Sequence, residues 1–182
     1  MAGVVELNGD TVGIGRSGFH ALRQALQASL GDQAAGRLQE AGHAAGRDVY
    51  TCFLRWLKAT TGLDDPGAIA ASALGPLLSD FFQALGWGPI SMNRVGATGI
   101  AMDTAEWAEA DPQANASYPS CHLSAGLLAG FMSALSQQTV SVMEVECRSA
   151  NHARCRFLLG KPEALEAVYQ AMSEGRDYSA VL

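Results

Sequence analysis

Three of the four cysteines in this chain are grouped around a carboxylate in its C-terminal third. Cys121 follows Tyr118-Pro119-Ser120 and opens an apolar helical stretch, and Glu144, Cys147 and Cys155 come next. Three thiolates and one carboxylate form a set of four ligands that a zinc ion accepts in tetrahedral geometry. In a chain without a recognisable secretory signal, a metal also explains why thiols come together without oxidising.

The elements predicted around these residues support part of such a site. The segments 139–147 and 154–159 are typical of a hairpin, in which Cys147 and Cys155 face each other with Cα atoms roughly 5 Å apart. Strand alternation, however, places residues 144 and 146 on the face opposite Cys147. Either Glu144 or Glu146 therefore needs a bulge or a twist to join the site.

Other interpretations of the cysteines stay open at this point. Cys147 and Cys155 could form a cross-strand disulfide, although a cytoplasmic setting disfavours it, or the three thiols could be core residues. The spacing is not a regular CxxC pair, so the residues alone do not decide. His122 is a rival ligand, but as the second residue of a helix it is expected to face the opposite side or solvent. Cys52, on a long N-terminal helix, is expected to be a buried thiol outside the site.

Composition excludes several classes of function. The chain has 182 residues, 12 basic against 18 acidic, a net charge of −6 and no block of Lys or Arg. Nucleic-acid binding and a polybasic membrane patch are both disfavoured. No apolar run reaches the ~20 residues that span a bilayer, and the N-terminus does not resemble a signal peptide. We expect a single cytoplasmic domain over residues 1–182.

Apolar periodicity predicts the order of the elements. Helices are expected over 16–85, with an interruption at Gly75-Pro76 and a stop at Gly86-Trp87-Gly88. A hairpin over 90–102, a helix over 123–135, the cysteine hairpin and a closing helix over 162–172 follow, and Asn8-Gly9-Asp10 signals a short strand or hairpin within 4–14. This order predicts an α+β fold, an antiparallel sheet of two hairpins packed with several helices.

Two of the predicted helices carry small residues at helical spacing. Gly42 and Gly46 lie in the long N-terminal helix, and Gly126 and Gly130 lie in the helix after Cys121. Each glycine costs about 1 kcal/mol of helix propensity, so close packing must compensate. The wider stripe on the long helix could serve both a core and a partner subunit; its members are Ala35, Leu38, Gly42, Ala45 and Val49.

The stretch from Tyr118 to Phe131 (YPSCHLSAGLLAGF), together with VMEVEC at 142–147 and CRF at 155–157, closely resembles the 4-vinyl reductase domain family. That family includes a bacteriochlorophyll-synthesis protein, the aromatic-sensing domains of phenol- and xylene-responsive activators, and archaeal hydrocarbon-binding proteins. Its fold is shared with the TRAPP vesicle-tethering subunits. The resemblance covers most of the chain, namely the N-terminal helices, the turn at 86–88 and the cysteine block of the segment 118–160.

The resemblance implies a metal and its ligands. In the aromatic sensors of the family, zinc is held by Cys, Glu, Cys and Cys at the spacing of Cys121, Glu144, Cys147 and Cys155, which favours Glu144 over Glu146. A zinc ion with four protein ligands has no open position and is structural. The family usually has glycine where this chain has Asn151, and asparagine is the next-best residue for a left-handed turn.

The resemblance also implies a ligand. The bacterial relatives bind hydrophobic small molecules beside the zinc hairpin, although a solid core fits the helical spacing of the apolar residues equally well. No serine-histidine-acid set and no nucleotide fingerprint is visible, so we expect binding without catalysis. The expected lining residues are apolar and bulky: Phe53, Phe81, Phe82, Trp87, Met102 and Phe131.

The resemblance further implies partners and leaves alternatives. Related domains pair through their N-terminal helices, so a homodimer is expected, and sensing would pass to a separate effector protein. The alternatives are a tetrapyrrole-pathway protein (a bacteriochlorophyll 4-vinyl reductase or a pigment carrier) and a TRAPP-like assembly module. The sequence does not identify the ligand.

Overall fold

The computed structural model describes residues 11–96 and 99–181, which form five α-helices and one four-stranded antiparallel sheet. The predicted α+β class, with two hairpins packed against helices, is confirmed. The hairpin expected around Asn8-Gly9-Asp10 lies outside the described residues. In chain order the elements are α1 (Arg16–Leu30), α2 (Gln33–Thr61), α3 (Ala71–Ala84), β1 (Ser91–Val95), β2 (Gly99–Thr104), α4 (His122–Ser136), β3 (Ser141–Glu146), β4 (Cys155–Gly160) and α5 (Pro162–Ser173).

The two hairpins join into one sheet through their second strands. The strand order is β1-β2-β4-β3, and the β2–β4 pairing runs from Ile100 opposite Leu159 to Thr104 opposite Cys155. On one face, Phe157 and Met102 belong to the large core that also takes in side chains of α2, α3 and α4. On the other face, Leu158 packs with residues of α5 in a second, smaller core.

Helices α2 and α4 pack with their backbones in contact, as the glycine pattern predicted. A Cβ atom built on Gly42 would lie 2.0 Å from the carbonyl oxygen of Leu123, and one built on Gly126 would lie 2.1 Å from that of Gln39. Gly46 and Gly130 repeat the arrangement one turn further along. Only hydrogen side chains leave room for this approach, which fixes the start of α4, and hence Cys121, against α2.

Helix α3 corrects one expectation. It runs without interruption through Gly75 and Pro76. Proline removes a single hydrogen bond here, the one to the carbonyl of Ser72. Ser72 and Pro76 are both exposed, so water can satisfy that carbonyl. Among the described residues, no helix has the length and apolar character needed to cross a membrane.

Candidate metal centre and its surroundings

The structure brings Cys121, Glu144, Cys147 and Cys155 together. One ligand atom from each, three Sγ atoms and a carboxylate oxygen, lie within 4.8 Å of one another. The three thiols are almost completely buried, and the Sγ atoms of Cys121 and Cys147 are 3.6 Å apart. Cys121 sits directly before α4, while Glu144, Cys147 and Cys155 come from the β3–β4 hairpin.

A β-bulge brings Glu144 into this cluster. Glu144 pairs with Phe157 and Glu146 pairs with Arg156, so Val145 is an extra residue in β3. The insertion reverses the side-chain alternation, and Glu144 therefore faces the same side as Cys147 and Cys155. Val145 packs into the core on the opposite face. The bulge that strand parity required is confirmed.

Glu144 has one oxygen satisfied and one without a partner. Its Oε2 accepts a hydrogen bond from the backbone N–H of Cys121 at 2.8 Å. Its Oε1 is fully enclosed and has no hydrogen-bond partner within the described part of the chain. Burial is the main reason that the pKa of Glu144 rises to about 9. An enclosed carboxylate oxygen that faces three sulfurs is an arrangement that a bound cation would satisfy, so the residues fit a metal ion.

The thiols share hydrogen bonds in a way that favours one thiolate. Hydrogen bonds from Cys121 and Cys155 lower the pKa of Cys147. The hydrogen bond between Cys121 and Cys147 raises the pKa of Cys121. Because thiolates are the form that binds metals, Cys147 is the thiol best prepared for that role.

The alternatives to this ligand set can be located as well. None of the four cysteines is in a disulfide. His122 is half-buried and lies outside the cluster. Cys52 is buried on α2, where its Sγ lies 3.3 Å from the hydroxyl of Thr11. Asn151 adopts a φ of 63°, the left-handed conformation expected for the turn between the last two cysteines.

Glu146, the competing glutamate, belongs to an ionic network on the outer face of the sheet. Its carboxylate accepts hydrogen bonds from Arg154 at 2.8 and 3.1 Å and from the hydroxyl of Tyr178. Arg156 binds both oxygens of Asp103, at 2.6 and 2.7 Å. Burial by itself raises the pKa of Asp103, but hydrogen bonds from Arg156 and Asn93 and the charges of both arginines outweigh it, so that pKa lies below its usual value. Glu146 thus faces away from the thiols.

A second buried polar group, which the sequence analysis missed, caps α4 beside the cluster. Glu109 is completely buried and accepts hydrogen bonds from the backbone N–H of Ser124 at 2.7 Å and from its hydroxyl at 2.5 Å. Arg23, buried on α1, lies 3.8 Å from Glu109, and the indole N–H of Trp107 donates to Ser124 at 2.6 Å. Burial is the main reason that the pKa of Glu109 is raised. No local sequence signal marks Glu109, because its partners lie 14, 15 and 86 residues away along the chain.

The six residues expected to line a ligand pocket are core residues. Five of them are completely buried, namely Phe53, Phe81, Phe82, Met102 and Phe131. Ring centroids of Phe82 and Phe131 are 5.2 Å apart, and those of Phe53 and Phe131 are 5.6 Å apart. Trp87 is half-buried at the edge, against Phe19 and Trp107. The same core includes Cys121 and Cys147, so the aromatic cluster lies next to the candidate metal centre.

A separate cleft lies elsewhere on the described structure. It has a volume of about 810 Å³ and runs between α3 and the β1–β2 hairpin. None of the six expected residues lines it.

Comparison with known proteins supports the fold and the cysteine segment. Residues 104–161 match the V4R domain. The phenol-responsive sensory domain of the transcription activator PoxR, solved with phenol, has a TM-score of 0.63 at 19% identity and covers 82% of this chain and 75% of its own. A vinyl-4-reductase family protein from Methanocaldococcus jannaschii has a TM-score of 0.53 at 17% identity, covering 83% of each chain.

A third solved structure has a similar fold. A trafficking protein particle complex subunit 3 from Naegleria fowleri, covalently bound to palmitic acid, has a TM-score of 0.57 at 13% identity and covers 79% of this chain and 90% of its own. No curated protein matches the chain in sequence. The three TM-scores show a shared fold, and at identities of 13–19% they show the fold alone. The segment matched at 104–161 contains all four residues of the candidate metal centre, and the resemblance of this chain to the 4-vinyl reductase domain family is confirmed.

Proposed function

We propose that this protein is a zinc-stabilised, non-catalytic binding protein for a hydrophobic or aromatic small molecule, and that it acts as a sensor. The observation that carries the proposal is the buried Cys121-Glu144-Cys147-Cys155 cluster, set in a fold shared with a phenol-responsive sensory domain. The cluster supports the metal, and the fold supports the class of ligand.

Zinc is the metal that suits these donors best. Three soft thiolates select zinc, copper(I) or iron–sulfur chemistry over magnesium or calcium, and the added carboxylate is a common fourth ligand of zinc. Cys121, Glu144, Cys147 and Cys155 would hold the ion. With four protein ligands it would have no open position, so its contribution would be structural: it would cross-link the β3–β4 hairpin to the start of α4.

The residues expected to bind the ligand share a core with this cross-link. Phe53, Phe81, Phe82 and Phe131 form an aromatic cluster that continues into the cysteine core, with Met102 and Trp87 beside it. A ring-shaped apolar compound would make edge-to-face contacts with these rings of the kind they make with one another. Because the rings already touch, a compound entering this core would have to displace side chains.

Quaternary structure and setting complete the proposal. Helix α1 leaves Leu22 54% and Leu30 38% exposed, an apolar surface that a second copy of the chain would cover in a homodimer. A separate effector protein would receive the signal. Four reduced cysteines suit a cytoplasmic location.

The test is native mass spectrometry of the full chain purified without chelator, combined with thermal shift measurements on a panel of apolar aromatic compounds. We expect one zinc per chain, a dimer of 19.0 kDa subunits, and stabilisation by at least one compound without its consumption. A protein without zinc, or one that no compound stabilises, would contradict the proposal.

The TRAPP-like assembly module is the second candidate, because a TRAPP subunit shares this fold over 90% of its length. A dimer that no small molecule stabilises would favour it. The tetrapyrrole alternative predicts visible absorption from a bound pigment, which a colourless protein would contradict.

A further inference from the structure

The cleft between α3 and the β1–β2 hairpin has the size and walls of a small-molecule site. Its volume of about 810 Å³ falls within the ~300–1,000 Å³ typical of ligand pockets. Helix α3 contributes Leu74 and Pro76 to one wall, and the hairpin contributes Ile90, Met92 and Ile100 to the other.

The width of this cleft is set by contacts between its two walls. The hydroxyl of Ser79 on α3 accepts a hydrogen bond from the backbone N–H of Ile90 at 3.1 Å, which ties α3 to the start of β1. Gly75 faces Met92, since a Cβ built there would lie 3.7 Å from the Met92 side chain. These contacts join α3 to β1 and to Ile90, the residue directly before that strand.

Within the described part of the chain, a single charged residue lines the cleft. Arg94 pairs with Ile100 across the hairpin, and the alternation of β1 places Arg94 on the same face as Met92. None of the other described residues that line the cleft is ionisable, although the chain as a whole carries a net charge of −6. Arg94 is exposed, and it forms no ion pair with any residue in 11–96 or 99–181.

These features specify the chemistry of an occupant. The apolar walls suit a ring or a short alkyl chain, and one guanidinium at the rim suits one carboxylate, which it can bind through two parallel hydrogen bonds. In the aromatic core, by comparison, the described rings lie in contact with one another, and the buried Arg23 faces Glu109.

We propose that this cleft binds a small amphipathic monocarboxylate, with the apolar body against Met92 and Ile100 and the carboxylate on Arg94. The inference rests on the proposed function, because it names the location and the ionic group of the ligand that the proposed function requires. It places that ligand in the cleft between α3 and the β1–β2 hairpin rather than among the packed phenylalanines.

The test compares two probes with the same ring system, the anionic 2-naphthoate and the neutral 2-naphthalenemethanol, by isothermal titration calorimetry on the full chain. Arg94→Gln should weaken naphthoate binding about fivefold, the value of an exposed ion pair near 1 kcal/mol, and leave the alcohol unchanged. Ser72→Trp, which fills the cleft from an exposed position on α3, should weaken both probes. Arg55→Gln, an equal change of charge on the outer side of α2, should affect neither.

The possible failures are distinguishable. Equal naphthoate affinity in Arg94→Gln and the parent chain would overturn the role of Arg94, and unchanged binding of both probes to Ser72→Trp would overturn the cleft as the site. Either result leaves the proposed small-molecule function in place, because the parent chain still binds. A parent chain that binds neither probe and no other apolar compound would overturn both proposals.

Discussion

The contact between α2 and α4 gives the most direct prediction, that Gly126→Ala lowers the free energy of unfolding. The added Cβ would lie 2.1 Å from the carbonyl oxygen of Gln39 and 2.9 Å from its Cα. Ordinary van der Waals contact for such a pair begins near 3.4 Å. The obstacle is helix backbone and not the end of a flexible side chain, so no change of rotamer relieves it, and the two helices must move apart by about 1 Å.

The expected magnitude follows from two opposing effects. Overpacking a core costs typically 1–3 kcal/mol, and a backbone obstacle places this site at the upper end. Alanine in place of glycine adds about 1 kcal/mol of helix propensity. The net effect is a loss of about 2 kcal/mol. Since α4 begins at the candidate metal centre, part of this loss arises from displacement of Cys121.

Urea unfolding followed by far-ultraviolet circular dichroism measures the difference, with metal content determined on the same samples. Gly36→Ala is the matched control, because Gly36 lies exposed within α2 and a Cβ there would meet no atom within 4 Å. We expect this control to be stabilised by about 0.5–1 kcal/mol. If Gly126→Ala were as stable as Gly36→Ala, the proposed close approach of the two helices would be refuted.

Three further predictions concern buried polar groups. Cys147→Ser should remove zinc from the protein and lower its thermal stability, because metal binding contributes to folding free energy; Cys52→Ser, measured by the same elemental analysis, should retain the metal. Asp103→Asn should lower the free energy of unfolding at pH 7 by about 1–3 kcal/mol, since it breaks the paired hydrogen bonds to Arg156. The pKa of Asp103 is lower in the folded state than in the unfolded state. Its contribution to the free energy of unfolding is therefore present above the unfolded pKa near 4 and is lost as the pH falls through the folded pKa. Urea titrations of Asp103→Asn and of the parent chain should accordingly give converging free energies of unfolding in acid. Glu109→Gln should cost about 3 kcal/mol or more, because it leaves a buried arginine without its counter-charge, and a variant as stable as the parent would refute that pairing.

Much of the fold could be predicted from local patterns. Apolar periodicity within 16–85 predicted the N-terminal helices, and alternation over 90–102 predicted the first hairpin, because the pattern of each element is contained in a short stretch of neighbouring residues. The order β1-β2-β4-β3 could not be predicted in the same way. Pairing of β2 with β4 joins residues about fifty positions apart, and no local pattern specifies which hairpin edges meet.

The surroundings of the candidate site were harder to predict than its ligands. Arg23 is the only buried residue of α1, although Leu22, Leu26 and Leu30 fall at helical spacing on that helix. Its burial follows from Glu109, which caps α4 with two backbone hydrogen bonds and needs a counter-charge in the core. Such a group depends on three distant segments at once, and the sequence of any one segment does not indicate the pairing.

The ligand set shows where sequence reasoning and structure meet. Strand parity alone excluded both Glu144 and Glu146 from the face of Cys147, so a bulge had to exist if either was to join the cysteines. The single inserted residue, Val145, serves both glutamates: it turns Glu144 towards three thiols and leaves Glu146 on the outer face, where Arg154 and Tyr178 bind it. A strand without the insertion would place the carboxylate of Glu144 among the residues of the outer face and leave three buried thiols without an oxygen donor. The bulge is therefore the local feature on which the four-residue donor set depends.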